Sequence, residues 1–225
     1  MAKIYVTGDT HRHIDIGKVI RFEIRNPDEN DYVIVAGDFG LVWNNDREEI
    51  YLRNYLTNNK EFTTLFVEGN HESFFLLNQY SITEWNGGKV HKITDKIIHL
   101  MRGEVFTING KKIFVMGGAE SIDKDRRTEG VSWWKEELPS YEEMENGLKN
   151  LEKNNWEVDY IITHTCPVSV QAQLIRSTLD NSLEKYLEEI YKKVKFKKWY
   201  FGHYHIDLVM DNNFIALYDN ITEMK

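Results

Sequence analysis

Thiol chemistry is nearly absent from the 225-residue chain, which has one cysteine, Cys166. No intrachain disulfide is possible, and nothing in the cysteine usage points to an oxidising compartment. No apolar stretch is long enough to cross a bilayer. The first strand-like run already occupies residues 3–7, which leaves no room for the basic segment and apolar run of a secretory signal. A cytoplasmic protein that does not bind membranes is therefore expected. Prolines number three, and no tract rich in Pro, Gly or Ser marks a linker. Repeats and low-complexity segments are also missing, so one domain over 1–225 is expected.

Positive charge is in short supply as well. There are 28 Lys and Arg against 36 Asp and Glu, a formal net charge of −8. Holding nucleic acid by general electrostatics needs a basic surface, so no strong nucleic-acid-binding surface is expected. Nucleotides are not excluded, because a metal ion can supply positive charge locally. The 41% hydrophobic content is that of a globular protein with a substantial core.

Several segments share one plan: a short apolar run, Gly-containing punctuation, then a polar, more helical stretch. KIYVT at 3–7 leads to Gly8-Asp9, YVIVA at 32–36 to Gly37-Asp38, and TLFVE at 64–68 to Gly69-Asn70-His71-Glu72. Such runs read as strands buried on both faces. Helices are expected over 13–26 and 45–59, and strand-helix-strand repetition implies parallel pairing through right-handed crossovers. After residue 86 come short strand-like runs, with Asn109-Gly110 as a hairpin signal. A charged aromatic segment follows at 120–140, then a helix at 140–153 opened by Ser140 with Glu143 in capping-box spacing. Strands at 158–164 and 198–205, a helix at 181–194, and two short strands around Asp211-Asn212-Asn213 complete the chain.

The polar residues that end these strands are Asp9, His11, Asp38, Asn70, His71, His164, His203 and His205. In α/β sheets, ligands bind at the carboxyl ends of the strands, so distant residues can meet on one rim. Two Asp, one Asn and four His suit Mn²⁺, Zn²⁺ or Fe. Seven donors exceed what one ion takes from a protein, whereas two ions sharing a bridging carboxylate would use them all. His13, His91 and His99 sit in helical or strand text without this context and read as ordinary satisfied polar residues.

Five blocks in order, Gly8-Asp9-Thr10-His11, Gly37-Asp38, Gly69-Asn70-His71-Glu72, Thr163-His164 and Gly202-His203-Tyr204-His205, resemble the calcineurin-like metallophosphoesterases. The resemblance implies an α/β fold, a four-layer α/β/β/α sandwich of two mixed sheets flanked by helices. It implies two divalent metal ions, Mn²⁺ first, with Zn²⁺, Fe, Ni²⁺ or Mg²⁺ as alternatives. Asp9, His11 and His205 would hold one ion, Asn70, His164 and His203 the other, and Asp38 would bridge them. His71 matches the family's catalytic histidine, which binds no metal and assists the leaving group. The implied activity is a phosphatase or small phosphodiesterase on a small or nucleotide-like phosphate ester, through in-line attack by a metal-bridging hydroxide.

The pattern departs from the family at Arg12, where Gly is usual, and in lacking the Asp-Arg-Gly element of the protein serine/threonine phosphatases. Arg12, Arg126 and Arg127 are candidate phosphate-binding cations. Trp133 and Trp134 read as core anchors ahead of nucleobase platforms, and Glu72 as the carboxylate that starts the next helix ahead of one that orients an imidazole from behind. No site is assigned to Gly117-Gly118. The competing reading is a non-catalytic metal-binding or protein-interaction domain on the same fold, disfavoured because every ligand position and His71 match.

Overall fold

The structure, a computed structural model, describes residues 2–175, 181–211 and 213–225. Its first half alternates strand and helix: β1 (Ile4–Thr7), α1 (Gly17–Arg21), β2 (Tyr32–Ala36), α2 (Arg47–Asn59), β3 (Thr63–Val67) and α3 (Phe74–Leu77). A run of strands follows: β4 (Ile82–Trp85), β5 (Gly88–Thr94), β6 (Ile97–Leu100), β7 (Val105–Ile108) and β8 (Lys111–Met116). Then come α4 (Tyr141–Lys153), β9 (Tyr160–Thr163), α5 (Val168–Leu174), α6 (Ser182–Lys193) and β10 (Lys198–Phe201). Three short strands end the chain: β11 (Leu208–Met210), β12 (Phe214–Ala216) and β13 (Thr222–Glu223).

These strands form a seven-stranded sheet ordered β13-β1-β2-β3-β6-β5-β4 and a six-stranded sheet ordered β11-β12-β10-β9-β8-β7. In the first, β1, β2, β3 and β6 run parallel. In the second, β8, β9, β10 and β12 run parallel. The outermost strands of both sheets pair antiparallel.

Side-chain alternation along the strands builds the layers. Val6, Ile34, Ala36 and Leu65 of one sheet meet Ile113, Val115, Ile162 and Tyr200 of the other in a shared core. The opposite faces carry Val33, Val35 and Phe66 against Val19, Leu52, Leu56 and Leu77 of α1–α3. Phe114, Ile161, Trp199 and Phe201 pack against Leu151, Leu183, Leu187 and Ile190 of α4 and α6. Successive residues of a strand point to opposite faces, so two-sided burial of both sheets is why the strands read as unbroken apolar runs. The result is helix, sheet, sheet, helix, as the resemblance implies.

Local signals were largely obeyed. Ser140 caps α4 and Glu143 reaches back to it. Asn109 and Gly110 both take positive φ (49° and 75°) in the β7–β8 hairpin. The expected helix at 13–26 shrinks to Gly17–Arg21. The residues before it form turns: the backbone N–H groups of Thr10 and His11 donate to Asp38 O and that of Arg12 to Phe39 O, His11 and Arg12 adopt positive φ, and the N–H groups of Ile14 and Asp15 donate to His11 O and Thr10 O. Asn212, the middle of the expected turn between β11 and β12, lies outside the described residues. Strands β4 and β13 were not foreseen; β4 presents mostly exposed residues and β13 is two residues long, so neither carries an apolar run.

Candidate metal centre

The carboxyl ends of the parallel strands from both sheets face one rim. Asp9 follows β1, Asp38 follows β2, Asn70 and His71 follow β3, His164 follows β9, and His203 and His205 follow β10. Donor atoms of Asp9, His11 and His205 lie within 4.8 Å of one another, as do those of Asp9, Asp38 and His164, and those of His11, Asp38 and His71. His164 Nε2 stands 3.2 Å from Asn70 Oδ1 and 3.3 Å from Asp38 Oδ1. The His203 backbone N–H donates to Asp9, and its ring lies edge-on to His164 with centroids 5.0 Å apart. All eight sequence-selected residues thus converge.

The loops that achieve this are strained and tightly nested. His11, Asp38, His203 and His205 all take positive φ, between 38° and 67°. Non-glycine residues rarely sit there, and such strain persists only where the surroundings over-determine it, which is typical of ligand clamps. Gly69 is needed for close approach: a Cβ there would fall onto the Asp38 carboxylate and lie 2.7 Å from His164 Nε2. Glu72 does not start a helix, since α3 begins at Phe74 under a Ser73 cap. It is fully buried and accepts the N–H groups of Gly40 (2.9 Å) and Gly69 (2.6 Å), tying the second and third loops together.

Partners behind the donors fix their orientation. The Ala36 carbonyl only accepts, so His164 donates Nδ1–H to it (2.9 Å) and turns Nε2 to the centre. Asp15 accepts from His11 Nδ1 (3.0 Å), which turns His11 Nε2 toward Asp38 (3.2 Å). Tyr218 donates its hydroxyl to Asp15 (3.2 Å) and stacks on His205 at 4.6 Å. Sequence reading missed Asp15 and Tyr218. The i,i+4 spacing from His11 was a signal for the first; only the fold brings the second there.

Burial dominates the electrostatics. It raises the Asp9 carboxyl to about 7, with His164 opposing and Asp38 adding to the rise. Burial also disfavours charge on Asp38, but His164 and His11 beside it hold its carboxyl well below the usual range. Burial alone would lower His164; Asp38 and Asp9 instead drive it up to about 10. His203, buried beside that imidazole, falls to about 3.

A cleft of about 430 Å³ opens over these residues, and its wall includes Ser121, Ile122, Asp123, Arg127, Ile175 and Tyr204. His71 faces it, its ring leaning on Trp43 at 5.9 Å and its backbone N–H donating to Asp38 (2.8 Å). Of the candidate cations, only Arg127 lines it, held by Asp123 (2.8 Å) and the Ser132 carbonyl (3.2 Å). Arg12 turns away to Asp46, Glu48 and Glu49 at the start of α2, because those carboxylates offer nearer counter-charge. Arg126 is exposed to solvent outside the cleft wall. Trp134 is buried edge-on to Trp43 at 4.8 Å, an anchor as expected. A second cavity of similar volume lies at the opposite, amino ends of β8–β10, lined by Lys112, Asp159 and Lys197, and has none of these donors.

Residues 2–207 match the family described as calcineurin-like phosphoesterase. The chain belongs to that family. No curated protein matches it in sequence. Among solved structures it is similar to phosphopantetheinyl hydrolase from Mycobacterium tuberculosis, at 15% identity and TM-score 0.53, over 96% of this chain and 89% of that one. A putative 5'-nucleotidase from Staphylococcus aureus, solved in complex with alpha-ketoglutarate, shares 15% identity at TM-score 0.46, over 96% of this chain and 48% of its own. At this identity the likeness to the hydrolase concerns the fold. Calcineurin-like phosphoesterases are hydrolases that use divalent metals, and this one has the residues for them. Buried carboxylates in need of positive charge, imidazoles locked with one nitrogen inward, and an amide oxygen form a set that fits hard or borderline divalent cations. No helix among the described residues is long and apolar enough to cross a membrane.

Proposed function

We propose that this calcineurin-like phosphoesterase is a two-metal hydrolase of small or nucleotide-like phosphate esters, with His71 assisting departure of the leaving group. The observation that carries the reading is the convergence of seven oxygen and nitrogen donors beside a cleft that His71 and Arg127 also face. Asp9, His11 and His205 would hold one ion, Asn70, His164 and His203 the second, and Asp38 both. Two bound divalent cations, Mn²⁺ by preference, would neutralise the phosphate oxygens and lower the pKa of the attacking water toward neutrality.

The chain's own groups supply the rest. Burial keeps His71 below its ordinary pKa, with His11 and Arg127 adding to the fall and Asp38 opposing it. A phosphate anion seated beside the imidazole favours its charged form. His71 would then carry a proton to the leaving oxygen. Arg127, braced by Asp123, offers guanidinium donors to the non-reacting phosphate oxygens. Ile122 and Ile175, exposed at the mouth, would contact the ester's organic portion. The cleft volume lies in the range that small ligands occupy.

The test is metal-stripped protein refilled with Mn²⁺, Zn²⁺, Mg²⁺ or Ni²⁺ and assayed on an aryl phosphomonoester and an aryl phosphodiester. Turnover of one with at least one metal is expected, and the preferred ester gives the reaction class. Metal binding without turnover of either ester would favour the non-catalytic binding domain instead.

A further inference from the structure

Asn70 presents a problem that the Asp and His donors do not. Its side chain has an oxygen on one arm and an NH₂ on the other, nearly identical in shape, and only the oxygen can meet a cation. Something must decide which arm points inward.

The deciding groups lie on the segment after β8. Asn70 Nδ2 donates to Ser121 Oγ at 3.2 Å, while Asn70 Oδ1 faces His164 Nε2. The Ser121 backbone N–H donates to the Glu137 carboxylate at 2.9 Å, and the Trp134 backbone N–H donates to it at 3.3 Å. Held by the first of these bonds, Ser121 Oγ stands as the acceptor facing the Asn70 NH₂. An acceptor at that place selects the NH₂ arm and leaves the oxygen facing the centre. Asn70, Ser121 and Glu137 are all at least 95% buried, so water does not compete for these bonds.

The chain of contacts closes on itself. Arg102 donates to the Glu137 carbonyl (3.4 Å) and is ion-paired to Glu68, two residues before Asn70. The Gly118 N–H donates to the Glu68 carbonyl at 2.8 Å. The loop bearing Asn70 and the loop bearing Ser121 are thereby held in fixed register.

We propose that Ser121 and Glu137 are positioning residues of the metal centre, a relay in which Glu137 fixes the Ser121 backbone and the Ser121 hydroxyl oxygen sets the orientation of the Asn70 amide. This rests on the reading of Asn70 as a metal ligand. It gives Ser121 and Glu137 a role that neither the five sequence blocks nor the cleft chemistry assigns to them.

The experiment is calorimetric titration of MnCl₂ into metal-stripped wild type, Ser121→Ala, Ser121→Thr and Glu137→Gln, with melting temperatures of the metal-free proteins alongside. Ser121→Ala is expected to weaken Mn²⁺ binding by about 10–100-fold, the range for lost outer-shell partners. Ser121→Thr keeps the hydroxyl and is expected to stay within about threefold of wild type on the same reasoning. Glu137→Gln, whose neutral amide holds the Ser121 backbone N–H less strongly than a carboxylate, should weaken binding while keeping the volume. If Ser121→Ala binds Mn²⁺ like wild type, or Ser121→Thr is as weak as Ser121→Ala, the relay is overturned. Should Ser121→Ala melt far below wild type, the Thr and Gln variants carry the decision. A wild type that binds Mn²⁺ in this Ser121-dependent way yet cleaves no ester upholds the relay and refutes the hydrolase reading. A wild type that binds no Mn²⁺ refutes both.

Discussion

On the proposed reading the chemistry turns on His71. Its backbone is tied to Asp38, its ring rests on Trp43, and it shares the cleft wall with Arg127. Removing the imidazole leaves the seven donors in place. His71→Ala is therefore expected to bind Mn²⁺ much as wild type does, while turnover falls by ~10²–10⁴, the span of general acid assistance. Turnover equal to wild type in a saturating-substrate assay would remove His71 from the mechanism. Arg12 and Arg127 show how little residue type alone decides. Both were candidate phosphate-binding cations, yet one neutralises the carboxylates at the start of α2 and the other faces the cleft.

Loops and strand pairs have their own vulnerabilities. The β3–α3 loop passes so close to Asp38 and His164 that Gly69 has no room for a methyl group. Gly69→Ala is expected to lose Mn²⁺ binding, read by calorimetry, because relief of the clash must move either the Asp38 carboxylate or the loop that carries Asn70. Unchanged affinity would show that the loop yields elsewhere.

On β5 and β6, His91 and His99 share one proton between their Nδ1 atoms at 3.2 Å, and His99 Nε2 donates to Glu68 at 2.7 Å. These were the histidines read from sequence as ordinary polar residues, and they are satisfied, but as part of a buried chain that ends beside the Asn70 loop. Burial, then the neighbouring His99, lowers His91 to about 4 from an ordinary 6.5. Between those values the unfolded chain binds the proton and the folded one does not, so stability falls as pH drops through that window. Urea melts from pH 7 to 4.5 should show this slope, and His91→Phe should flatten it. An equal slope in the variant would place the effect elsewhere.

For the whole molecule, the centre is assembled from the ends of both sheets, so cations bound there cross-link the two halves of the sandwich. They bind the folded chain only, because the unfolded chain does not gather donors from residues 9 to 205. Free Mn²⁺ at a hundred times its dissociation constant should add about 2.7 kcal/mol. For a chain of this size that corresponds to a rise in melting temperature of roughly 5–10 °C, reversed by a chelator. A melting curve indifferent to Mn²⁺ and chelator would count against a cation site shared by the sheets.

Local sequence determined much of this protein. Two-sided apolar runs set the strands, glycines after them set the sharp turns, and the Ser140-Glu143 pair set a helix start. Donors after β1, β2, β3, β9 and β10 told where a site would form, because parallel strands collect their carboxyl ends at one rim. Short-range pattern can carry that information because each signal spans a few residues. Only the tertiary structure decided which groups stand behind the donors. Tyr218 behind Asp15, Glu72 between two loops, and Ser121 with Glu137 behind Asn70 are brought together from across the chain. A hydrogen bond depends on where an atom lies in space, and no spacing along the chain encodes that until the sheets have packed.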